Sequence, residues 1–232
     1  MLVFTALSAA AAADDSTGEN IPKADDILRV VELFTSQGCS SCPSANGLVN
    51  RMAEEQGTLA LSYGVTYWDY LGWKDTFADP EFTDRQRAYS EFFDMANLYT
   101  PQIVLNGMSH GAYYSDRDAL SMVLAADRPA MTLKLSGPGL TGHVDRPSGK
   151  YGAILIEYVH GPQSVPVTAG ENRGHTLTLS NVVTDVEDLG VWDTSMTLEV
   201  VARDQVTVGK SYALLLHERN DGRIASAARY TP

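Results

Sequence analysis

The chain has 232 residues, and its 17 Lys and Arg residues against 29 Asp and Glu residues give a formal net charge of −12. That excess of acid argues against nucleic acid or an anionic membrane surface as a partner. Two cysteines are too few for a disulfide scaffold, and the length leaves room for two hydrophobic cores.

The N-terminus is an uncharged apolar stretch, residues 1–13, that ends in small alanines just before Asp14. This pattern predicts a secretory signal peptide, although no Lys or Arg precedes it; a disordered Ala-rich tail is the alternative. The stretch is too short to cross a bilayer. Residues 14–26 are polar and are predicted to form a disordered leader. We therefore expect a periplasmic or secreted protein that makes no membrane contact once the signal is removed.

The first ordered elements are predicted between residues 27 and 65. Ile27 to Phe34 form a near-continuous apolar run, which is typical of a parallel strand covered on both faces. A helical stripe follows Pro43 and ends near Gly57, and Leu59 to Val65 form a second buried strand. The pattern predicts a β-α-β unit. The stripe consists of Ala45, Leu48, Val49, Met52 and Ala53.

Three further signals extend this unit to about residue 127. Pro80 follows an Asp and marks a helix start. Pro101 enters a short apolar strand that stops at Asn106-Gly107, a strong hairpin signal. Ser115 opens a capping box and a last helix. The predicted order is β-α-β-α-β-β-α, so residues 27–128 are expected to form an α/β domain.

Beyond residue 128 the pattern changes to short strand-like segments separated by Gly and Pro clusters, without helical periodicity. Residues 129–232 are therefore predicted to form a separate, small all-β sandwich. Because this part contains no cysteine, we expect it to contribute nothing to sulfur chemistry. The segments are Met131–Leu135, Tyr151–Val159, His175–Leu179, Ser195–Val201 and Tyr212–His217, with a hairpin turn at Asn220–Gly222.

The two cysteines, Cys39 and Cys42, lie in a Cys-Ser-Ser-Cys motif between the first strand and the first helix. A thiol at a helix N-terminus faces unpaired N–H groups and the positive end of the dipole, which favour the thiolate. We predict that Cys39 is an exposed, low-pKa nucleophile and that Cys42 is the shielded, resolving thiol. Zinc sites also use CxxC, but the five histidines are scattered, so no metal and no cofactor is expected.

The position of the cysteine pair, together with Thr100-Pro101 before the hairpin strand, resembles the thioredoxin fold. The resemblance implies that Pro101 has a cis peptide bond beside the cysteines and that Thr100 offers backbone groups to an extended substrate. An ordinary strand-entry proline is the alternative explanation of Pro101.

Glu32 is the other candidate catalytic residue. Thioredoxins carry a buried acid, usually six residues before the first cysteine, whereas Glu32 is seven residues before Cys39. A buried carboxyl there would have a raised pKa and could accept the proton of Cys42. The alternative is a glutamate at a strand edge that faces solvent.

Three longer segments resemble the secreted bacterial proteins catalogued as domain of unknown function 1223: Val30 to Pro43, Tyr67 to Asp75, and Gly170 to Gly174. The similarity extends over nearly the whole mature chain. It implies a thioredoxin-like fold with a downstream β domain, and export from the cytoplasm.

Two segments allow two interpretations each. Trp68 and Trp73 belong either to the core or to a surface near Cys39 that binds an apolar or unfolded polypeptide. The segment Glu171 to His175 mixes donors and acceptors, so it either grips a ligand or forms a well-bonded turn.

The sequence thus predicts an exported thiol–disulfide oxidoreductase that acts on protein thiols or disulfides. Two alternatives stay open. The two thiolates could instead capture a soft ion such as Cu(I) without turnover, or a closed disulfide could simply fix a loop in an interaction protein.

Overall fold

The structure is a computed structural model that describes residues 26–136, 139–145, 149–202 and 206–232. The predicted signal peptide and all of the predicted leader except its last residue lie outside these ranges. Within the described ranges, none of the helices has the length and apolarity that crossing a bilayer requires.

The described residues form a mixed α/β fold with few helices and many strands. The helices are α1 Cys42–Glu54, α2 Pro80–Phe92 and α3 Asp116–Ser121, and Asp69–Leu71 form a 3₁₀ turn. The strands are β1 Arg29–Thr35, β2 Thr58–Gly64, β3 Gln102–Leu105, β4 Ser109–Gly111, β5 Ala130–Ser136, β6 Gly139–Asp145, β7 Tyr151–Pro166, β8 Thr176–Trp192, β9 Met196–Ala202, β10 Lys210–Glu218 and β11 Ile224–Tyr230.

Eight of these strands form one mixed sheet in the order β11-β10-β7-β8-β2-β1-β3-β4. Strands β1 and β2 are parallel, as predicted for a β-α-β unit, and β3 is antiparallel to β1. The predicted hairpin between β3 and β4 and the predicted caps of α2 and α3 are confirmed. The helix α1 begins at Cys42, two residues earlier than its stripe indicates, so the second cysteine belongs to its first turn.

The prediction of a separate sandwich after residue 128 requires a correction. Strands β7, β8, β10 and β11 continue the first sheet, while β5, β6 and β9 form a second, three-stranded sheet. The second sheet packs on this extension through a cluster that includes Leu140, Trp192 and Leu214. Two buried polar side chains link β8 to β2. Ser62 Oγ donates to Ser180 O at 2.8 Å, and Asn181 Nδ2 donates to Ala60 O at 2.8 Å.

Alternation along β1 divides the core into two layers. Val31 and Leu33 face α1 in one buried cluster. Val30 and Phe34 face the opposite side, where they pack in a cluster with Tyr89 of α2. Since successive side chains of a strand point to opposite faces, Glu32 lies on the α2 side. The loop that carries the cysteines begins directly after β1.

Candidate active site

The cysteines lie at the carboxyl end of β1 and the N-terminus of α1. Consecutive backbone bonds shape the loop: Cys39 N donates to Ser36 O at 3.2 Å, and Cys42 N donates to Cys39 O at 3.2 Å. Both cysteines are free thiols. Cys39 is 0% exposed, so the prediction of an exposed nucleophile is wrong, although Ser40 and Ser41 beside it are exposed.

The two thiols are chemically unequal. A hydrogen bond from the Cys42 thiol, with a further one from Ser41, outweighs the effect of burial and lowers the pKa of Cys39 to about 6. Ser41 Oγ lies 3.2 Å from Cys39 Sγ. Burial, and then the neighbouring Cys39, raise the pKa of Cys42 well above its ordinary value. At neutral pH, Cys39 is therefore a thiolate and Cys42 a protonated thiol, in the predicted order.

The strand β3 brings Thr100 and Pro101 to the cysteines. The peptide bond between them is cis, as the resemblance implies, and Pro101 is buried. The carbonyl oxygen of Thr100 lies 3.8 Å from Cys39 Sγ and 3.5 Å from Ser41 Oγ. Because β3 is antiparallel to β1, the start of β3 lies beside the end of β1, where the cysteine loop begins.

Trp68 and Trp73 are partly buried, and each donates its indole N–H to a residue of the site. Trp68 Nε1 donates to Thr100 Oγ1 at 2.7 Å, and Trp73 Nε1 donates to Gln37 Oε1 at 2.8 Å. They are thus neither ordinary core residues nor a free aromatic surface. Their predicted contact with a substrate stays a prediction, but both support the walls around the cysteines.

The loop between β7 and β8, residues 167–175, reaches across to the cysteines and is called here the β7–β8 loop. The buried side chain of Asn172 donates from Nδ2 to Gln37 O at 2.9 Å and to Cys39 O at 2.8 Å. Glu171 Oε2 accepts from Ser40 N at 2.9 Å. The predicted separation of the residues after 128 from the α/β domain is therefore wrong, whereas the expectation that they contribute nothing to sulfur chemistry stays a prediction. For the segment Glu171 to His175, the interpretation as a well-bonded turn is confirmed by its backbone hydrogen bonds.

A second contact that sequence reasoning missed comes from Asp75. Asp75 Oδ2 accepts from Gln37 N at 2.6 Å and Asp75 Oδ1 from Phe77 N at 2.8 Å, while burial raises the pKa of this carboxyl. Gln37 is therefore held by Asp75 at its N–H and by Asn172 at its carbonyl. A sequence cannot show this pairing, because Asp75 and Asn172 lie far from the motif along the chain.

Glu32 is not part of this constellation. Among the described residues it binds Arg85, whose Nε donates to Oε1 at 2.7 Å, and it accepts a hydrogen bond from Tyr89. Burial alone would raise the pKa of Glu32, but Arg85, followed by His217, Tyr89 and Tyr63, holds it below the ordinary value. The predicted raised pKa is wrong, and so is the alternative of a solvent-facing glutamate, since the residue is 0% exposed.

His217 completes this second cluster. Its Nε2 lies 3.3 Å from Arg85 Nη2 and its Nδ1 lies 3.2 Å from Gly222 O. A guanidinium can only donate, so Nε2 is the acceptor and Nδ1 carries the proton. Burial, and then the charge of Arg85, lower the pKa of His217 to about 4, so the imidazole is neutral at pH 7.

The residues that the structure describes hold no group of three or more His, Cys, Asp and Glu side chains arranged for a metal ion. The fold and the site together define a class: a mixed α/β protein with a vicinal thiol pair between the first strand and the first helix. The family model described as "Protein of unknown function (DUF1223)" matches residues 30–216, and the chain belongs to this family.

Two solved structures are similar to the chain. A structural-genomics protein from Agrobacterium tumefaciens shares 28% identity with a TM-score of 0.74, over 88% of this chain and 94% of that one. HBP35 of Porphyromonas gingivalis shares 11% identity with a TM-score of 0.52, over 90% of this chain and 76% of that one, which is a likeness of fold alone. A search among curated proteins gave no match.

Proposed function

We propose that this protein is an exported thiol–disulfide oxidoreductase with a thioredoxin-like site, in which Cys39 and Cys42 exchange with protein thiols or disulfides. One observation carries the proposal: two neighbouring thiols have pKa values shifted in opposite directions, that of Cys39 to about 6 and that of Cys42 upward. A thiolate beside a protonated, buried thiol is what a nucleophile and a resolving residue require.

The surroundings of the pair support a thioredoxin-like arrangement. The order of strand, CxxC motif, helix and parallel strand matches that fold, and the cis bond between Thr100 and Pro101 lies beside the motif. The backbone carbonyl of Thr100 already faces Cys39 Sγ, so a substrate chain that pairs with this backbone would bring its sulfur to Cys39.

In the reducing direction, the Cys39 thiolate attacks one sulfur of a substrate disulfide. A new sulfur–sulfur bond forms to Cys39, the substrate bond breaks, and the departing thiolate takes up a proton. Cys42 then loses its proton and attacks Cys39 Sγ, which forms the Cys39–Cys42 disulfide and releases the second substrate sulfur as a thiolate. Two electrons pass from the pair to the substrate; oxidation of a substrate dithiol runs through the same steps in reverse.

The burial of Cys39 restricts the substrate. Its sulfur is enclosed while Ser40 and Ser41 are exposed, so we expect an extended segment to approach over these serines, with local movement before attack. An extended, unfolded or loop segment fits this geometry better than the rigid face of a folded protein.

The test compares the wild type with Cys39→Ser and Cys42→Ser, using insulin as the disulfide substrate and glutathione as the redox buffer. We expect the wild type to reduce insulin, Cys42→Ser to accumulate a mixed disulfide through Cys39, and Cys39→Ser to do neither. Mass spectrometry of non-reduced samples identifies the adducts. If Cys42→Ser forms no adduct with either disulfide at pH 7, the proposal fails.

A further inference from the structure

We infer that Asn172, in the β7–β8 loop, is a positioning residue of the thiol site: its side-chain amide fixes the backbone around Cys39 and thereby the direction of the thiol. The inference rests on the proposed function for its biological meaning, but the contacts that carry it do not depend on turnover. It gives the C-terminal half of the chain a part in positioning the reactive sulfur.

The first argument is the pattern of hydrogen bonds. The Asn172 amide donates to two carbonyls on either side of Gly38, those of Gln37 at 2.9 Å and Cys39 at 2.8 Å. Both bonds are buried, so the loss of the amide would remove a hydrogen-bond partner from each carbonyl in a place that water does not readily reach. One side chain thereby fixes the backbone on both sides of the residue that precedes the nucleophile.

The second argument links this backbone to the sulfur. The carbonyl of Cys39 accepts from Asn172 and also from Cys42 N at 3.2 Å, so one oxygen joins the β7–β8 loop to the first turn of α1. The orientation of that peptide determines where Cys39 Sγ points. Cys39 Sγ points to Ser41 Oγ, 3.2 Å away, and to the Cys42 thiol. The hydrogen bonds from these two groups lower the pKa of Cys39.

The third argument is that the β7–β8 loop lies against the cysteine motif over several residues. Gly170 has a φ of +75°, and a methyl group on it would lie 3.4 Å from Trp73 Cβ and 3.9 Å from Gly38 Cα. Next to it, Glu171 accepts from Ser40 N at 2.9 Å. The loop therefore contacts the cysteine motif at several consecutive residues, and Asn172 is its buried contact.

The test measures the pKa of Cys39 in Asn172→Asp, from the pH dependence of iodoacetamide alkylation of the reduced protein. The aspartate has the same size but cannot donate, and its charge repels both carbonyls and the thiolate. We expect the pKa to rise by about one unit, which at pH 6 slows alkylation about fivefold, from about half to about a tenth thiolate. Asn172→Ala, which removes the donor without adding charge, should shift the pKa in the same direction.

The matched control is Asn181→Asp. Asn181 is also buried and donates from Nδ2 to a backbone carbonyl, Ala60 O at 2.8 Å, but it lies on β8 away from the thiols. It should lower the resistance to urea and leave the pKa of Cys39 unchanged. Unchanged Cys39 titration in both Asn172 variants, or an equal shift in the Asn181 variant, would overturn the inference. Alkylation needs no exchange partner, so a Cys42→Ser variant that forms no mixed disulfide refutes the proposed function without affecting this result.

Discussion

The thiol site at the end of β1 and the Glu32 cluster on its α2 face both contain groups with shifted pKa values. The two regions differ in what stabilises the negative charge. At the end of the strand, Cys39 is a thiolate supported by neutral donors, the thiol of Cys42 and the hydroxyl of Ser41. On the α2 face, Glu32 is a carboxylate paired with the full opposite charge of Arg85, 2.7 Å away.

The difference separates a chemical site from a structural one. A thiolate held by neutral donors keeps its charge available for attack on a substrate sulfur. A carboxylate that is paired with a fixed guanidinium and accepts a hydrogen bond from Tyr89 has a lowered pKa, which makes it a weak proton acceptor. A perturbed pKa is therefore a sign of function only when its cause leaves the group free to react.

The largest expected effect comes from breaking the charged cluster. Glu32→Gln leaves Arg85 buried without its counterion, and we expect a loss of about 3–5 kcal/mol of unfolding free energy in urea. The pKa of Cys39 should stay near that of the wild type. The control is Asp116→Asn, which breaks an exposed ion pair: the side chain of Arg51 is 59% exposed and that of Asp116 is 53% exposed. This variant should change the unfolding free energy little.

A contrary outcome is equally informative. If Glu32→Gln folds with nearly unchanged stability but alters the alkylation of either cysteine, Glu32 communicates with the thiols after all. The two regions would then be coupled, and the result would support the predicted role of Glu32 as proton acceptor for Cys42.

The next effect concerns pH. The folded pKa of His217 is about 4, below its ordinary value of about 6.5 in an unfolded chain. Between these values the unfolded chain binds more protons, so stability falls as the pH falls from about 6.5 to about 4. The slope for one proton is about 1.4 kcal/mol per pH unit. His217→Gln should flatten the urea stability profile in this window.

The control for that experiment is His175→Gln, because His175 is exposed on the β7–β8 loop. It should follow the wild-type profile. Identical slopes for wild type and His217→Gln would mean that the pKa of His217 is the same in the folded and the unfolded chain, and that burial beside Arg85 does not hold the imidazole neutral.

How well the sequence predicts the features of these two regions depends on how far apart along the chain the interacting residues lie. Local signals are reliable here: the CxxC motif, the hairpin at Asn106 and the cap at Ser115 each depend on residues a few positions apart. The cis bond at Pro101 followed from resemblance.

The errors arise where distant segments meet. Nothing in the turn around Asn172 indicates that its amide reaches Cys39, and strand alternation does not reveal that β8 pairs with β2. The ion pair escaped prediction for the same reason. Glu32 looks like a catalytic acid until Arg85, on another element, is placed beside it.

A smaller effect is expected at the thiol end from Ser41→Ala. Ser41 is exposed, so its loss should change stability little, but its hydroxyl lies 3.2 Å from Cys39 Sγ and lowers the pKa of that thiol. We expect a rise of roughly one pKa unit, since hydrogen bonds to charged groups are the stronger ones. Ser44→Ala, on the same helix turn but bonded to Ser41 O at 3.4 Å, is the control. An unchanged alkylation profile in Ser41→Ala would assign the shift to the other donors, the Cys42 thiol first among them.

The smallest expected effect concerns Glu171, which is exposed and bonded to Ser40 N beside the nucleophile. Its pKa is lowered by that backbone bond, so it is charged at neutral pH and its negative charge opposes a thiolate nearby. Glu171→Gln keeps the bond to Ser40 and removes the charge, and it should lower the pKa of Cys39 by about 0.3 units at low salt. Because exposed charges are screened, the difference should vanish near 1 M salt, whereas the shifts caused by Asn172→Asp and Ser41→Ala should persist. A salt-independent effect of Glu171→Gln would show that the side chain acts on the sulfur through loop geometry rather than through its charge.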